Sequence, residues 1–554
     1  MARIKDRSAT DYTTVDAATP FQAATLTPLQ DAATFNSTFS WSNPTGVPTV
    51  VADLVGSTVR GNQVLPFGPN APGTVNWQID AGVAIAPQRG VISYSFADSA
   101  HATGIYNNPG QGFTEQFGYS SFTDAQRVAA RIAINNWDEL IAPTFRERNG
   151  PGGADIVFAN TTTGPGQAWA YYPTDYGVSQ YRHLASDVWI ADPRVNGSNA
   201  QLDPGFYGLL TLNHELGHTL GLSHPGSYNA SDDNDGDGEP DPITYTNDAE
   251  YFQDSMQFSI MSYFDAYETG AQNVDWNVMR FVYASTPMVD DIAVIQSKYG
   301  ADMTTRTGNT TYGFNATSDV TNAAMRFQTG EFATIFTIWD AGGNDTLNLS
   351  GYYTDSVIDL RPGAYSSAGG WGAYDPAQIG TTPTLAEING NNADAGLGAR
   401  RAGLFDIYFE GGVTNPDGTL VNEGLSWLET TGTGSRYLME QNIGIAYGAT
   451  IENAIGGHGN DRINGNAANN SFTGGAGSDV FILDRYGAGD TSIDRITDFQ
   501  TGVDKIDLTA FAGIDGGDVN FANGRLRIDT DNNGSFDMTV MITGSVGAGD
   551  YLFG

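Results

Sequence analysis

The chain has 554 residues, 40% hydrophobic and 11% aromatic, which is enough for two to four domains with a large core. It has no cysteine, which excludes disulfides, thiolate catalysis and cysteine-ligated zinc. The 63 acidic residues against 25 basic ones give a net charge of −38, so a nucleic acid is disfavoured as a partner because its phosphates would meet a surface of like charge.

The charge fits either a generally acidic, solvated surface or carboxylates collected to bind Ca²⁺. No run approaches 18 consecutive apolar residues, so we expect no membrane span. Residues 1–75 are rich in Thr, Ala, Pro and Asn, which predicts a mostly irregular leader or prosegment. The first residues lack an apolar stretch, so no conventional signal peptide is expected. A cytosolic protein and a disulfide-free secretion route both remain open.

Ordered structure is predicted to begin near residue 91. Alternating or apolar runs predict strands at 91–96, 155–160, 167–173 and 186–193. A helix is predicted over 123–141, capped by Thr123 or Asp124. Its apolar face is expected to carry Val128, Ile132, Ala133, Trp137 and Leu140. Further helices are predicted at about 208–221 and at 290–300, where Gly300 is a candidate C-cap and domain boundary.

The segment HELGHTLGLSH, 214–224, holds three of the six histidines. His214 and His218 stand at i and i+4, so both rings project from one helical face and can meet one tetrahedral Zn²⁺. Gly221 can end the helix in a left-handed conformation and let His224 swing in as a third ligand. Glu215 stands beside the site, and the whole matches the long motif H-E-x-x-H-x-x-G-x-x-H.

Beyond residue 305 helical patterns disappear, and a nine-residue period appears at 456–482. The copies are GGHGNDRIN, GNAANNSFT and GGAGSDVFI, each with an apolar residue at its eighth position. This is the glycine-rich repeat of a Ca²⁺-binding parallel β-roll, because glycines permit tight turns whose carbonyls face a cation and the aspartates supply charge. Only three copies and a half-match at 340–348 are present, so the roll is expected to be short.

The segment FSIMSYF, 258–264, follows the histidine motif and places Met261 and Tyr263 in the pattern S-x-M-S-Y. With this Met turn the chain resembles the serralysin family of metzincin zinc endopeptidases, roughly over 90–370 and 440–511. The resemblance implies an α+β metzincin-type protease domain followed by an all-β parallel β-roll/β-sandwich domain that binds calcium. It also implies that Met261 lies beneath the metal and that Tyr263 is a displaceable zinc ligand.

The expected chemistry is peptide hydrolysis with one catalytic zinc held by His214, His218 and His224. Zinc activates the attacking water, and Glu215 accepts its proton and later delivers it to the leaving amine. The resemblance further implies that Tyr263, once released, donates to the oxyanion.

The resemblance also assigns several structural calcium ions, whose ligand sets mix carbonyls with carboxylates, as Ca²⁺ prefers. The implied calcium residues are Arg306, Gly308, Thr310, Asp340, Gly342, Gly343, Asp345, Thr450, Glu452, Gly457, Gly459 and Asp461. An acidic insert, DDNDGDGEPD at 232–241, resembles part of a calcium loop without its final Glu, so it is either an extra Ca²⁺ site or a solvated loop. Its candidate ligands are Asp233, Asp235, Asp237 and Asp241. The segment DTDNNGSFD, 529–537, is a weaker candidate of the same kind.

The organisation expected is a leader at 1–75, a zinc protease domain at 76–305, a calcium roll at 306–511 interrupted by an insertion at about 371–440, and a C-terminal β segment at 512–554. The ending GDYLFG is similar to the uncleaved signals of type I secretion in this family. We interpret the chain as a secreted, extracellular protease, which is either free or associated with the cell surface. Its expected partners are protein or peptide substrates and the type I secretion apparatus. The alternative is a calcium-binding surface-layer or adhesive protein whose protease domain is vestigial.

Overall fold

The computed structural model describes residues 90–98, 115–150, 154–171, 186–226, 228, 243–249, 253–394, 396–400, 437–486 and 491–554. The predicted leader at 1–75, the acidic insert at 232–241 and most of the second half of the insertion lie outside the described residues. Among the described residues, no helix combines the length and apolar character needed to cross a membrane.

Five α-helices lie in the described part of the chain. They are α1 (Asp124–Asp138), α2 (Tyr207–Thr219), α3 (Tyr245–Asp248), α4 (Val289–Tyr299) and α5 (Leu385–Asp394). Short 3₁₀ turns occur at Glu115–Gly118, Gly197–Ala200, Ala266–Thr269, Ala323–Met325 and Ala548–Asp550. The three helices predicted before residue 305 are confirmed as α1, α2 and α4, each within a few residues of its predicted ends.

The strands fall into an N-terminal group of seven and a C-terminal group of sixteen within the described residues. The first group is β1 (Val91–Phe96), β2 (Thr144–Glu147), β3 (Ile156–Thr161), β4 (Ala168–Ala170), β5 (Val188–Ala191), β6 (Val274–Asp275) and β7 (Arg280–Phe281). The second group opens with β8 (Thr311–Gly313), β9 (Phe336–Ile338), β10 (Thr346–Asn348), β11 (Val357–Asp359), β12 (Tyr365–Ser366), β13 (Ile443–Ile445), β14 (Asn453–Ile455) and β15 (Arg462–Asn464). It continues with β16 (Ser471–Thr473), β17 (Val480–Ile482), β18 (Ile493–Ile496), β19 (Lys505–Asp507), β20 (Val519–Ala522), β21 (Arg525–Ile528), β22 (Met538–Ile542) and β23 (Tyr551–Leu552).

The N-terminal part is a five-stranded sheet, in the order β2-β1-β3-β5-β4, with α1 and α2 packed together. Strands β1, β2, β3 and β5 run parallel, whereas the edge strand β4 runs antiparallel to β5. The four predicted strands are confirmed as β1, β3, β4 and β5. Strand β3 is buried along its whole length, as expected for a central strand of a covered sheet.

Helix α1 begins where the sequence predicts, because Thr123 and Gln126 form a reciprocal capping box. The predicted apolar face was partly wrong, since 56% of Val128 is exposed. Ala133, Trp137 and Leu140 are buried as predicted, and Ala129, Ala130 and Ile134 complete the buried face. Close packing of α1 on α2 requires small side chains, and a pattern judged by its bulky residues overlooks a face built largely from alanines.

Most of the C-terminal part is a roll of an eight-stranded and a five-stranded sheet, beside a three-stranded sheet in the order β12-β13-β9. The strands of the roll run parallel, except that β21 runs antiparallel to β20 and β22 at one edge. Strands β14, β15, β16 and β17 begin nine residues apart and alternate between the sheets, which confirms the roll predicted from the nonapeptides. The apolar residues at the eighth repeat position, Ile463, Phe472 and Phe481, are fully buried between the sheets.

The roll is longer than the count of repeats predicts. Strands β8 and β10 extend one sheet and β11 extends the other, all in parallel register with the nonapeptide strands. Turns without the consensus therefore continue the coil, because inward-facing apolar residues such as Leu347 and Ile358 keep the alternation that the core requires.

The expectation that helices end at residue 305 was wrong, because α5 lies in the insertion. Thr384 and Glu387 form the capping box before it, with the Thr384 backbone N–H 2.9 Å from a Glu387 carboxylate oxygen. The signal T-L-A-E was present in the sequence.

One cluster of buried apolar side chains runs through both parts, from Ile92 in β1 to Ile542 in β22. Polar contacts add to it: the side chain of Arg306, of which 4% is exposed, pairs at 2.6 Å with Glu139 at the C-cap of α1. The roll is thus packed against the layer that carries the histidine motif, and the domain division at about residue 305 stays a prediction.

Candidate metal centres

Helix α2 carries the first half of the histidine motif and is buried along almost its whole length. It ends as the sequence predicts, with Gly221 at a φ of 88°. The Gly221 and Leu222 N–H groups donate to the carbonyls of His218 and Gly217, which is the hydrogen-bond pattern of a Schellman motif. This turn reverses the chain and directs His224 back towards the helix.

One ring nitrogen of each histidine in the motif lies within 4.8 Å of the others, and all three side chains are buried. Each Nδ1 lies within hydrogen-bond distance of a backbone carbonyl: Ile260 for His214 (2.6 Å), Leu222 for His218 (2.7 Å) and Tyr228 for His224 (3.1 Å). Because a carbonyl can only accept, each neutral ring carries its proton on Nδ1 and presents Nε2 as a lone-pair donor.

Burial lowers the pKa of His214 to about 4 and that of His224 to about 3, and it places the pKa of His218 well below its usual value. Neighbouring imidazoles add to the lowering for His218 and His224. The three rings are therefore neutral at pH 7, the state in which imidazole binds a metal. In the described part of the chain, Nε2 of His214 and of His224 has no hydrogen-bond partner. These residues fit one Zn²⁺.

The Met turn lies directly beneath α2. Met261 is fully buried, and a Cβ at Gly217 would come 2.5 Å from its sulfur, so the glycine in the motif permits this close approach. Asp291 of α4 holds the turn by accepting from the Ser259 hydroxyl (2.7 Å) and from the Ile260 N–H (2.8 Å). The same Ile260 supplies the carbonyl that orients His214.

The two predicted catalytic residues lie at this centre. Glu215 is buried on α2, next to His214. The ring of Tyr263 lies with its centroid 4.3 Å from that of His224 and 6.4 Å from that of His214. The structure therefore brings together the three histidines and Tyr263, while the catalytic roles of Glu215 and Tyr263 stay predictions.

Several of the predicted calcium residues form one cluster around Asp345, where β8, β10 and β14 begin. One carboxylate oxygen of Asp345 accepts from the Thr310 N–H (2.7 Å), and the Asp345 N–H donates to Glu452 (2.7 Å). The carboxylate of Asp340 accepts from the Gly342 N–H (2.9 Å). Gly343 has a φ of 159°, and a Cβ there would collide with the carbonyl oxygen of Gly308, which only glycine avoids.

A second cluster forms around Asp461 in the nonapeptide turns. Its carboxylate accepts from the N–H groups of Gly457 (2.6 Å) and Ser356 (2.7 Å), and its own N–H donates to Asp479 (2.9 Å). The main chain of Gly459 packs so closely on Asp355 that a Cβ would collide with it.

Both clusters hold carboxylates that lie close to other carboxylates. Burial, with repulsion from acidic neighbours, raises the pKa of Asp345 and of Asp461 to about 7 and that of Asp479 to about 6. One carboxylate oxygen of Asp345 and one of Asp479 have no hydrogen-bond partner within the described residues. Oxygen donors that crowd together and remain partly unsatisfied are what a hard cation requires, so these residues fit Ca²⁺.

Some residues of these two acidic clusters were not predicted from the sequence. Asp355, Asp498 and Asp504 act electrostatically on Asp479, which itself stands at the sixth position of the third repeat. Its position in the repeat could have identified Asp479 as a cluster residue. The other three aspartates lie in turns that do not match the nonapeptide consensus. Conversely, Thr450 is exposed, two residues before Glu452.

The structure describes one of the two remaining candidate calcium segments. Asp233, Asp235, Asp237 and Asp241 lie outside the described residues. In the weaker candidate at 529–537, carboxylate oxygens of Asp529, Asp531 and Asp537 lie within 4.8 Å of one another.

The geometry around α2 is that of a zinc metalloendopeptidase of the metzincin type. The family model described as the C terminus of M10 serralysin peptidases matches residues 301–386 and 435–543, so the gap in the match falls within the insertion. Serralysin of Proteus mirabilis is 30% identical over 441 residues, which cover 72% of each chain. Serralysin B of Dickeya chrysanthemi is 33% identical over 76% of this chain and 72% of its own. Serralysin C of the same organism is 41% identical over 46% and 49%.

The chain therefore belongs to the serralysin family of extracellular zinc metalloendopeptidases. The solved structure of myroilysin is 15% identical, with a TM-score of 0.21 over 38% of this chain and 92% of that one.

Proposed function

We propose that the chain is a secreted endopeptidase that hydrolyses peptide bonds of extracellular proteins, with one zinc held by His214, His218 and His224. The convergence of three neutral imidazoles within 4.8 Å carries this proposal. Zinc bound there supplies a Lewis acid that polarises the scissile carbonyl and acidifies water.

The chain's own groups perform the proton transfers. Glu215, beside His214 on α2, accepts the proton of the attacking water and returns it to the leaving amine. The hydroxyl of Tyr263, whose ring packs on His224, donates to the carbonyl oxygen of the substrate as negative charge develops there. The buried surroundings exclude bulk water and so strengthen both interactions.

We further propose that the clusters around Asp345 and Asp461 bind structural calcium. Without a cation their carboxylates repel one another in a partly buried setting, which opposes folding of the roll. Calcium removes this repulsion, so the roll is stable outside the cell, where calcium is plentiful. Because the roll needs calcium to become stable, the protease would mature only after export, which fits secretion by a type I apparatus.

The test is casein hydrolysis by the purified protein with zinc and calcium supplied, beside Glu215→Gln and a zinc-chelated control. We expect activity that the chelator abolishes, and a loss of at least about 100-fold in Glu215→Gln, because the general base is removed. Zinc content is measured in both proteins, since the variant should retain its metal. Equal inertness of wild type and variant, with zinc bound in both, would support the vestigial alternative and refute the protease proposal.

A further inference from the structure

Tyr228, four residues after the third histidine, contacts it in two ways. Its backbone carbonyl lies 3.1 Å from His224 Nδ1, and its ring lies parallel to that imidazole, with an interplanar angle of 5° and centroids 5.8 Å apart. Of Tyr228, only 4% is exposed. A displacement of Tyr228 would therefore change both the tautomer and the tilt of His224.

The hydroxyl of Tyr228 is fixed by a carboxylate from a distant part of the chain. It donates to Asp254 Oδ1 at 2.7 Å, and the Ser262 hydroxyl donates to the same oxygen at 2.8 Å. Asp254 is completely buried. Since Ser262 stands between Met261 and Tyr263, Asp254 joins the loop that carries the third histidine to the Met turn.

The ring of Tyr263 lies against both His224 and Tyr228. Its ring centroid is 4.3 Å from that of His224 and 5.3 Å from that of Tyr228. Its neighbour Ser262 is held by Asp254, and the Ser262 oxygen also accepts from the Phe264 N–H at 3.1 Å. The positions of His224 and Tyr263 relative to each other thus depend on a bridge that neither of them forms directly.

We propose that Tyr228 and Asp254 are positioning residues of the zinc centre, which hold His224 and Tyr263 in register through the shared oxygen of Asp254. The inference rests on the proposed roles of His224 and Tyr263. We assign Tyr228 and Asp254 no catalytic role of their own, since they act through His224 and Tyr263. Groups that orient metal ligands contribute 10- to 100-fold to metal affinity or activity, so the loss of one hydroxyl at the bridge is expected to weaken zinc binding by about tenfold.

The test compares Tyr228→Phe with Tyr365→Phe in the zinc- and calcium-loaded protein. Both substitutions remove one hydroxyl from a buried tyrosine, and Tyr365 donates to the backbone carbonyl of Gln257. The measurements are the zinc dissociation constant by chelator competition, kcat and KM on a quenched peptide, and the melting temperature without zinc. We expect Tyr228→Phe to raise the zinc Kd and lower kcat, each by about tenfold, with KM little changed. Tyr365→Phe should lower only the melting temperature.

A second pair of variants examines the carboxylate. Asp254→Asn keeps an oxygen that can accept both hydroxyls, so zinc affinity and kcat should stay near wild type, whereas Asp254→Ala should reproduce the losses of Tyr228→Phe. If Tyr228→Phe lowers only the melting temperature, as the control does, the positioning role is refuted, even where Asp254→Ala fails to fold. If the zinc Kd shifts but wild type hydrolyses no peptide, the proposed function fails and the positioning of the zinc ligands stands.

Discussion

A methyl group added at Gly217 tests the contact between α2 and the Met turn. The Cβ of Gly217→Ala would lie 2.5 Å from the Met261 sulfur, 3.2 Å from its methyl carbon and 3.4 Å from Trp137. The sulfur must then move by roughly 1 Å to reach ordinary van der Waals contact. Met261 is fully buried, so its side chain cannot relieve the contact by moving into solvent.

Two opposing effects decide the sign. Alanine is favoured over glycine in a helix interior by about 1 kcal/mol. Overpacking a close-packed core costs about 1–3 kcal/mol. Because Met261 is fully buried and protein cores are close-packed, we expect the second effect to win and the free energy of unfolding to fall by about 1 kcal/mol.

A double-mutant cycle with Met261→Ala, followed by urea unfolding at saturating zinc and calcium, measures the contact. Met261→Ala alone is expected to cost about 2–5 kcal/mol. In that background the clash is gone, so Gly217→Ala should become stabilising by up to about 1 kcal/mol. The reasoning is refuted if Gly217→Ala stabilises the wild type, or if it has the same effect in both backgrounds.

Three further predictions concern α4, the roll and the contact between the two parts. Burial raises the pKa of Asp291 from its ordinary 3.8 to about 6, so its protonated form contributes stability that is complete below pH 3.8 and lost as the pH rises through 6. Asp291→Asn should flatten the unfolding free energy over that window, and an unchanged pH profile would contradict this. Phe481 is fully buried in the roll, so Phe481→Ala should lower the free energy of unfolding by about 3–5 kcal/mol at saturating calcium; a loss below about 1 kcal/mol would show that the roll is not packed there. Arg306→Ala should cost about 3 kcal/mol in thermal unfolding, because it leaves Glu139 without its cation, and a neutral effect would mean that the pair does not join the parts.

Local patterns made much of the zinc centre predictable. His214 and His218 share a helical face by spacing alone. Gly221, which has a φ of 88° in the structure, forms the turn that brings His224 back towards the helix. The nonapeptides likewise predict strands nine residues apart, and β14 to β17 begin at that interval. In each case the chemistry depends on residues close together in the chain, so the spacing carries the information.

Other features lay outside the reach of such patterns. The contact of Met261 with Gly217 joins residues 44 positions apart, and the hydrogen bond from Tyr228 to Asp254 joins residues 26 apart. No period in the sequence marks these pairs. Val128 is another example. The helical pattern predicts that it is buried, but it is exposed because α1 packs on α2 through its alanine-rich face.

By itself the sequence determined which side chains are candidates to bind zinc, where α2 stops and which strands repeat, because helix and turn geometry convert short spacings directly into directions. Only the tertiary structure decided what orients those side chains. The carbonyl of Ile260 orients His214, and Tyr228, held by Asp254, orients His224. Acidic residues in turns without the consensus surround Asp479 in the cluster around Asp461. Such groups become neighbours only when separate segments pack, since burial and shared hydrogen bonds are properties of the assembled core.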